Sequence, residues 1–159
     1  MKRIVILIIV AINLMGCAQK AIYSEFKPVP VLGWEADSVL TYHWTIQDTT
    51  STYRILIDVR HTERYPYQNL WFFVNLDQGT MTKEQGRQTQ DTIEFYLADE
   101  RGQWLGKKNN SCIEMPVLYE EAYKFDSIGD YTMTIQQGMR TTSLKGICDV
   151  GVIIERTKE

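Results

Sequence analysis

Asp91-Thr92-Ile93-Glu94-Phe95-Tyr96-Leu97-Ala98-Asp99-Glu100-Arg101-Gly102-Gln103-Trp104-Leu105-Gly106 alternates apolar Ile93, Phe95 and Leu97 with Glu94, Tyr96 and Ala98. Only an extended, pleated backbone sends such a set to one face, so this is a half-buried strand. Asp99 to Gly102 follows as a polar run ending in the residue that best tolerates positive φ, and Trp104-Leu105 then resumes an apolar segment. The spacing predicts strand, tight turn and return strand.

The same period recurs on both sides. Leu40, Tyr42, Trp44 and Ile46 alternate with Thr41, His43 and Thr45, and a polar turn spans Gln47 to Thr52. Tyr53, Ile55, Ile57 and Val59 share a face opposite Arg54, Asp58 and Arg60. Leu70 to Leu76 is apolar on both faces except at Asn75, which fits a central strand covered on both sides or one whose outer face meets a partner. Asp77 to Gln90 has no period and reads as a long loop. Met115-Pro116 interrupts before a strand over Val117 to Phe125. Tyr131, Met133 and Ile135 form another, and Val150, Val152 and Ile154 close the chain. Short strands with polar turns and no intervening helices predict an all-β, antiparallel β-sandwich. Immunoglobulin-like and jelly-roll wiring both suit this spacing.

The first residues are of another kind. Met1-Lys2-Arg3 is basic, Ile4 to Ile12 is unbroken apolar, and Leu14-Met15-Gly16-Cys17 ends the segment. These are the parts of an export signal, too short for the roughly 20 apolar residues of a spanning helix. Leu14 to Cys17 resembles the lipobox of bacterial lipoproteins, which implies cleavage before Cys17 and a thioether-linked lipid on it. The expected organisation is a signal peptide over 1–16, a lipidated N-terminus and tether over 17–33, and a β-sandwich domain over 34–159. Anchoring by several acyl chains is effectively permanent, since each buried methylene contributes about 0.8 kcal/mol.

Loss of Lys2 and Arg3 with the leader takes the formal net charge from −3 to −5. Such a balance excludes a nucleic-acid partner, which needs clustered positive charge. Cys112 and Cys148 remain, and the sequence leaves a disulfide and two buried thiols both open.

No catalytic constellation stands out. There is no Gly-x-Ser-x-Gly elbow, no glycine-rich phosphate loop and no Cys-x-x-Cys. His43 and His61 are the only histidines and have no second ligand at metal spacing. No metal, cofactor or catalytic residue is therefore expected. Candidate partner-binding residues are Tyr96, on the polar register of its strand, Arg101 in the turn, Trp104 after it, and Arg140 in Gly138-Met139-Arg140. Trp104 suits either core packing or exposed binding. Exposed aromatics of this kind also fit a glycan-binding platform on a surface or periplasmic lipoprotein.

Several stretches carry a family resemblance: Val59-Arg60-His61-Thr62 with Tyr65 to Trp71, Asp91 to Asp99 with Gly102 and Leu105-Gly106, Ile135 to Arg140, and Gly146 to Gly151. In this order the sequence resembles the gliding motility lipoprotein GldH family of Bacteroidota. The resemblance implies a non-enzymatic cell-envelope component of the gliding machinery, held at a membrane by the lipid on Cys17 and working with other envelope proteins. Ala18 in place of an inner-membrane retention aspartate, and no acidic run after Cys17, point to the periplasmic face of the outer membrane.

Overall fold

The computed structural model describes residues 21–78 and 89–157, and every element among them is a strand. They are β1 (Ala21–Pro28), β2 (Trp34–Glu35), β3 (Val39–Ile46), β4 (Tyr53–His61), β5 (Asn69–Gln78), β6 (Thr89–Tyr96), β7 (Lys107–Asn109), β8 (Cys112–Tyr123), β9 (Gly129–Gln137), β10 (Ser143–Leu144) and β11 (Ile147–Arg156). One sheet runs β1-β11-β4-β8-β7, the other β3-β9-β5-β6, and β10 with β2 makes a small third.

The eight long strands pair as β1 with β11, β3 with β9, β4 with β8 and β5 with β6, first with last and so inward, all antiparallel. That is one long ribbon turned at the β5–β6 connection. It is rolled up by the further pairings of β11 with β4 and of β5 with β9. The wiring is that of a jelly roll, which settles the alternative that strand spacing left open.

Period two places the core where the sequence indicated. Tyr42, Trp44 and Ile46 of β3, Ile55, Ile57 and Val59 of β4, and Leu70, Phe72, Val74 and Leu76 of β5 point into the gap between the sheets. Met133 and Ile135 of β9 and Val150, Val152 and Ile154 of β11 meet them in one contiguous cluster. Each fully buried side chain of this size stabilises the fold by roughly 1.5–3 kcal/mol.

Four features depart from the sequence reading. Residues 21–28, expected in a tether ahead of a domain beginning at Trp34, form an edge strand paired with β11 from Ala21↔Glu155 to Pro28↔Asp149. Its partner lies at the far end of the sequence, and Phe26 seats over Gly151, where a Cβ would overlap the ring. Residues 21–28 are thus part of the folded body. The return strand expected at Trp104 is a single bridge, Ala98↔Trp104, although the turn before it does use positive φ at Gly102 (78°). Met115-Pro116 does not interrupt β8. Beyond the short β7, β8 is an open edge, where a missing N–H leaves no rung unmade. The long polar loop is shorter than expected, with β5 extending to Gln78 and β6 starting at Thr89; its remainder, 79–88, lies outside the described residues.

Cys112 and Cys148 are joined as a disulfide with a Cα–Cα distance of 6.8 Å. They open β8 and β11, which flank β4 on opposite sides, and strands two apart normally stand about 9.5 Å from each other, too far for a bridge. Here β4 has ended at His61. Cys148 is also the extra residue of a bulge, since Ile147 pairs with His61 and Asp149 with Arg60. The two flanking strands close over the end of β4.

Candidate functional site

At the end of the sandwich where β4 and β9 finish and β5 and β11 begin, the connections 62–68, 97–106 and 138–146 come together. Tyr96, Arg101, Trp104 and Arg140 all sit on or beside them.

The 138–140 turn is built by a buried side chain. Gln137 is 2% exposed; its Nε2 donates to the Thr141 carbonyl at 3.0 Å and its Oε1 accepts from the Met139 amide at 2.8 Å. One amide thus holds both ends of the turn and sends Arg140 into solvent. The turn presses onto β5, with the Gly138 amide donating to the Trp71 carbonyl at 2.7 Å and the Trp71 amide to Met139 Sδ at 3.4 Å. A Cβ at Gly138 would lie 3.2 Å from that of Trp71, a tight contact that glycine avoids.

The result is an open cleft of about 520 Å³ lined by Tyr67, Asn69, Trp71, Gly138, Met139 and Arg140. Asn69 Nδ2 donates to Glu94 Oε1 at 2.6 Å, which takes up one of that amide's two N–H groups. The side-chain donors of Tyr67, Trp71 and Arg140 have no hydrogen-bond or ion-pair partner among the described residues.

A second cleft of about 520 Å³ adjoins it, lined by Gln68, Tyr96, Ala98, Asp99, Glu100 and Leu105. The two are neighbours because Asn69 and Tyr96 pair directly across β5 and β6. Tyr96 is 59% exposed. Arg101 stands at the tip of a turn in which Asp99 Oδ1 accepts from the amides of Arg101 (2.9 Å) and Gln103 (2.8 Å). Trp104 does not join them. It is half-buried, edge-on to His61 at 4.5 Å between ring centroids and 6.4 Å from Tyr65, and so packs on the core with part of its ring in solvent.

Of the four residues singled out in the sequence, then, Tyr96, Arg101 and Arg140 share this end of the molecule and Trp104 is part of its foundation. Tyr67, Asn69 and Trp71 escape a sequence reading as a group. The one signal for them is the unexplained apolar outer face of Leu70–Leu76.

The other sheet carries a polar cluster on its outer face. Arg60 lies 3.7 Å from both Glu114 and Asp149 and 4.0 Å from the Phe26 ring centroid. Asp58, read from sequence as a polar-face residue, is 2% exposed beside them. Burial, and then the Glu114 charge, push its pKa up to about 7. Burial likewise raises Asp149, against the pull of Arg60, and lowers His61. Among the described residues no group of three or more His, Cys, Asp or Glu is placed to hold a metal ion.

Residues 21–154 match the family described as GldH lipoprotein. The protein belongs to this family. The matched span opens with β1 and closes within β11, so GldH-family similarity covers nearly the whole folded body. The sequence is 31% identical over 159 residues to the gliding motility lipoprotein GldH homolog of Christiangramia forsetii, covering 96% of this protein and 94% of that one. It is also 31% identical over 158 residues to the gliding motility lipoprotein GldH of Flavobacterium johnsoniae, covering 95% and 94%. Among solved structures, a family GH115 4-O-methyl-alpha-glucuronidase with specificity for decorated arabinogalactans aligns with 91% of this protein and 19% of its own length, at 13% identity and a TM-score of 0.48. Dimeric latent PorU from Porphyromonas gingivalis aligns with 89% and 14%, at 7% identity and a TM-score of 0.34.

Proposed function

We propose that this gliding-motility-associated lipoprotein is a non-enzymatic part of the gliding machinery, held at the periplasmic face of the outer membrane through lipid on Cys17 and acting by contact with other envelope proteins. The observation that carries this is the match to GldH relatives along almost the full length of both partners. The contact role is supported by the cleft at Trp71 and Arg140, whose aromatic, Met and Arg lining is the composition enriched at protein interfaces. The glycan-binding alternative draws its support from Tyr96, 59% exposed, more than from Trp104, which is half-buried against His61.

Cys17 lies outside the described residues, and the lipid on it is tested directly. Cys17→Ala is expected to leave the membrane fraction and to abolish motility in a gliding host that depends on the protein. A soluble Cys17→Ala form that supports full motility would overturn the proposal.

A further inference from the structure

The Tyr67–Trp71–Met139–Arg140 cleft lies at the end of the molecule away from the anchor. Ala21 pairs with Glu155 at the last turn of β11, whereas the cleft loops flank Ile147 at its first. The eight residues of β1 separate the two ends by about 25 Å. The four residue steps from Cys17 to Ala21 reach at most about 14 Å. A body fixed at Cys17 therefore has the cleft beyond the radius of its own tether.

Charge and shape then describe the occupant. The protein is acidic overall, and at this end the bases Arg64, Arg101, Arg140 and Lys145 stand without an ion pair among the described residues, while the acids Asp99 and Glu100 line the adjoining cleft and not this one. The one carboxylate on the cleft's sheet face, Glu94, already accepts from Asn69. The wall between Trp71 and Met139 is apolar, and the thioether side chain adapts its shape to what it meets. Of the residues lining the cleft Arg140 alone carries a formal charge, and the complement of a guanidinium without an ion pair is a carboxylate.

We infer that this cleft seats an acidic segment of a partner protein: an aliphatic or aromatic side chain lodges against Trp71 and Met139 while a neighbouring carboxylate pairs with Arg140. This deepens the contact role proposed above and rests on it. The pairing of an aromatic anchor with an arginine at the rim is how a few residues come to dominate an interface.

The test uses the full-length, membrane-anchored protein in cells. A photoreactive phenylalanine analogue is placed at Tyr67, and at His43, exposed on β3 of the same sheet, as the control. The expected result is adduct formation at Tyr67 at least tenfold above His43, to a peptide bearing Asp, Glu or a free terminal carboxylate within about four residues of an apolar side chain. Arg140→Glu should cut the yield at least tenfold, Arg140→Lys should keep at least a third of it, and a lysine in place of the partner's acid should restore the Arg140→Glu adduct. Equal yields at the two positions, indifference to Arg140→Glu, a peptide lacking an acid, a second copy of this protein, or a glycan adduct would each overturn the inference. Arg140→Glu keeps Cys17, so its membrane retention is unchanged. Loss of Arg140 dependence alongside an intact Cys17→Ala phenotype sinks the cleft only; a silent Cys17→Ala sinks the broader proposal.

Discussion

The outer face of the five-stranded sheet and the outer face of the four-stranded sheet are treated in opposite ways. On the first, Arg60 is stacked on Phe26 and flanked by Glu114 and Asp149, and Asp58 is sealed beneath them. On the second, Phe73 (37% exposed), Tyr96 and the rim of Trp71 stand among threonines and amides, exposed among the described residues. The first face pairs its charges with one another and covers them, although Asp58 Oδ1, Arg60 Nε and Asp149 Oδ1 are buried there without a hydrogen bond. The second leaves aromatic surface and hydrogen-bond donors unspent at one end, and that imbalance marks the side on which a partner is to be sought.

The largest effect expected from breaking this contrast is on the self-contained side. Replacing both Cys112 and Cys148 by Ser opens a 36-residue loop and should cost about 4 kcal/mol, read from urea unfolding. An unchanged midpoint would mean that the strand ends are held without the bridge. Next, Gly151→Ala drives a methyl into the Phe26 ring and should destabilise by about 1–3 kcal/mol. Gly138→Ala, which meets Trp71 at 3.2 Å, should cost less. If the two alanines ranked the other way, Phe26 would be a loose cover.

Asp58 sharpens the comparison through pH. Its pKa is raised in the folded protein, so between about pH 4 and pH 7 the folded state binds more protons than the unfolded one. Its contribution to stability is then fully present below about pH 4 and is lost as pH rises to 7. Asp58→Asn should flatten that decline in thermal unfolding followed across the window; an unaltered slope would assign it elsewhere, with Asp149 the first alternative. The smallest effects belong to the open face. Arg140→Ala and Tyr96→Ala should each change stability by no more than about 0.5 kcal/mol, because both side chains are solvent-facing. A larger loss for either would make it part of the fold and not of a docking surface.

The strands were legible because alternation of side chains is a local signal: Tyr42, Trp44 and Ile46, or Ile55, Ile57 and Val59, declare their face without reference to any partner. The rolling of the ribbon was not. It depends on pairing β1 with β11 across more than a hundred residues, and β1 itself shows no clean alternation because Phe26 is bedded on an outer face made hospitable only by the absence of a side chain at Gly151. Asp58 misled for the same reason, being on the expected face but covered. Arg140 and Tyr96 were found as exposed polar-register residues. Their neighbours Tyr67 and Trp71 were not, since only the β5–β9 and β5–β6 registers carry them to the 138–140 turn. Trp104 had no register at all, and its place was settled by His61 and Tyr65.

The strand nearest the N-terminus is also the outermost of its sheet, held by β11 along one side alone. Tension between that end and a load at the far end of the sheet runs along β1, so the rungs from Ala21–Glu155 to Pro28–Asp149 share it in shear. The ring of Phe26, five residues along and clasped between Gly151 and Arg60, adds a side-chain catch to that shared load.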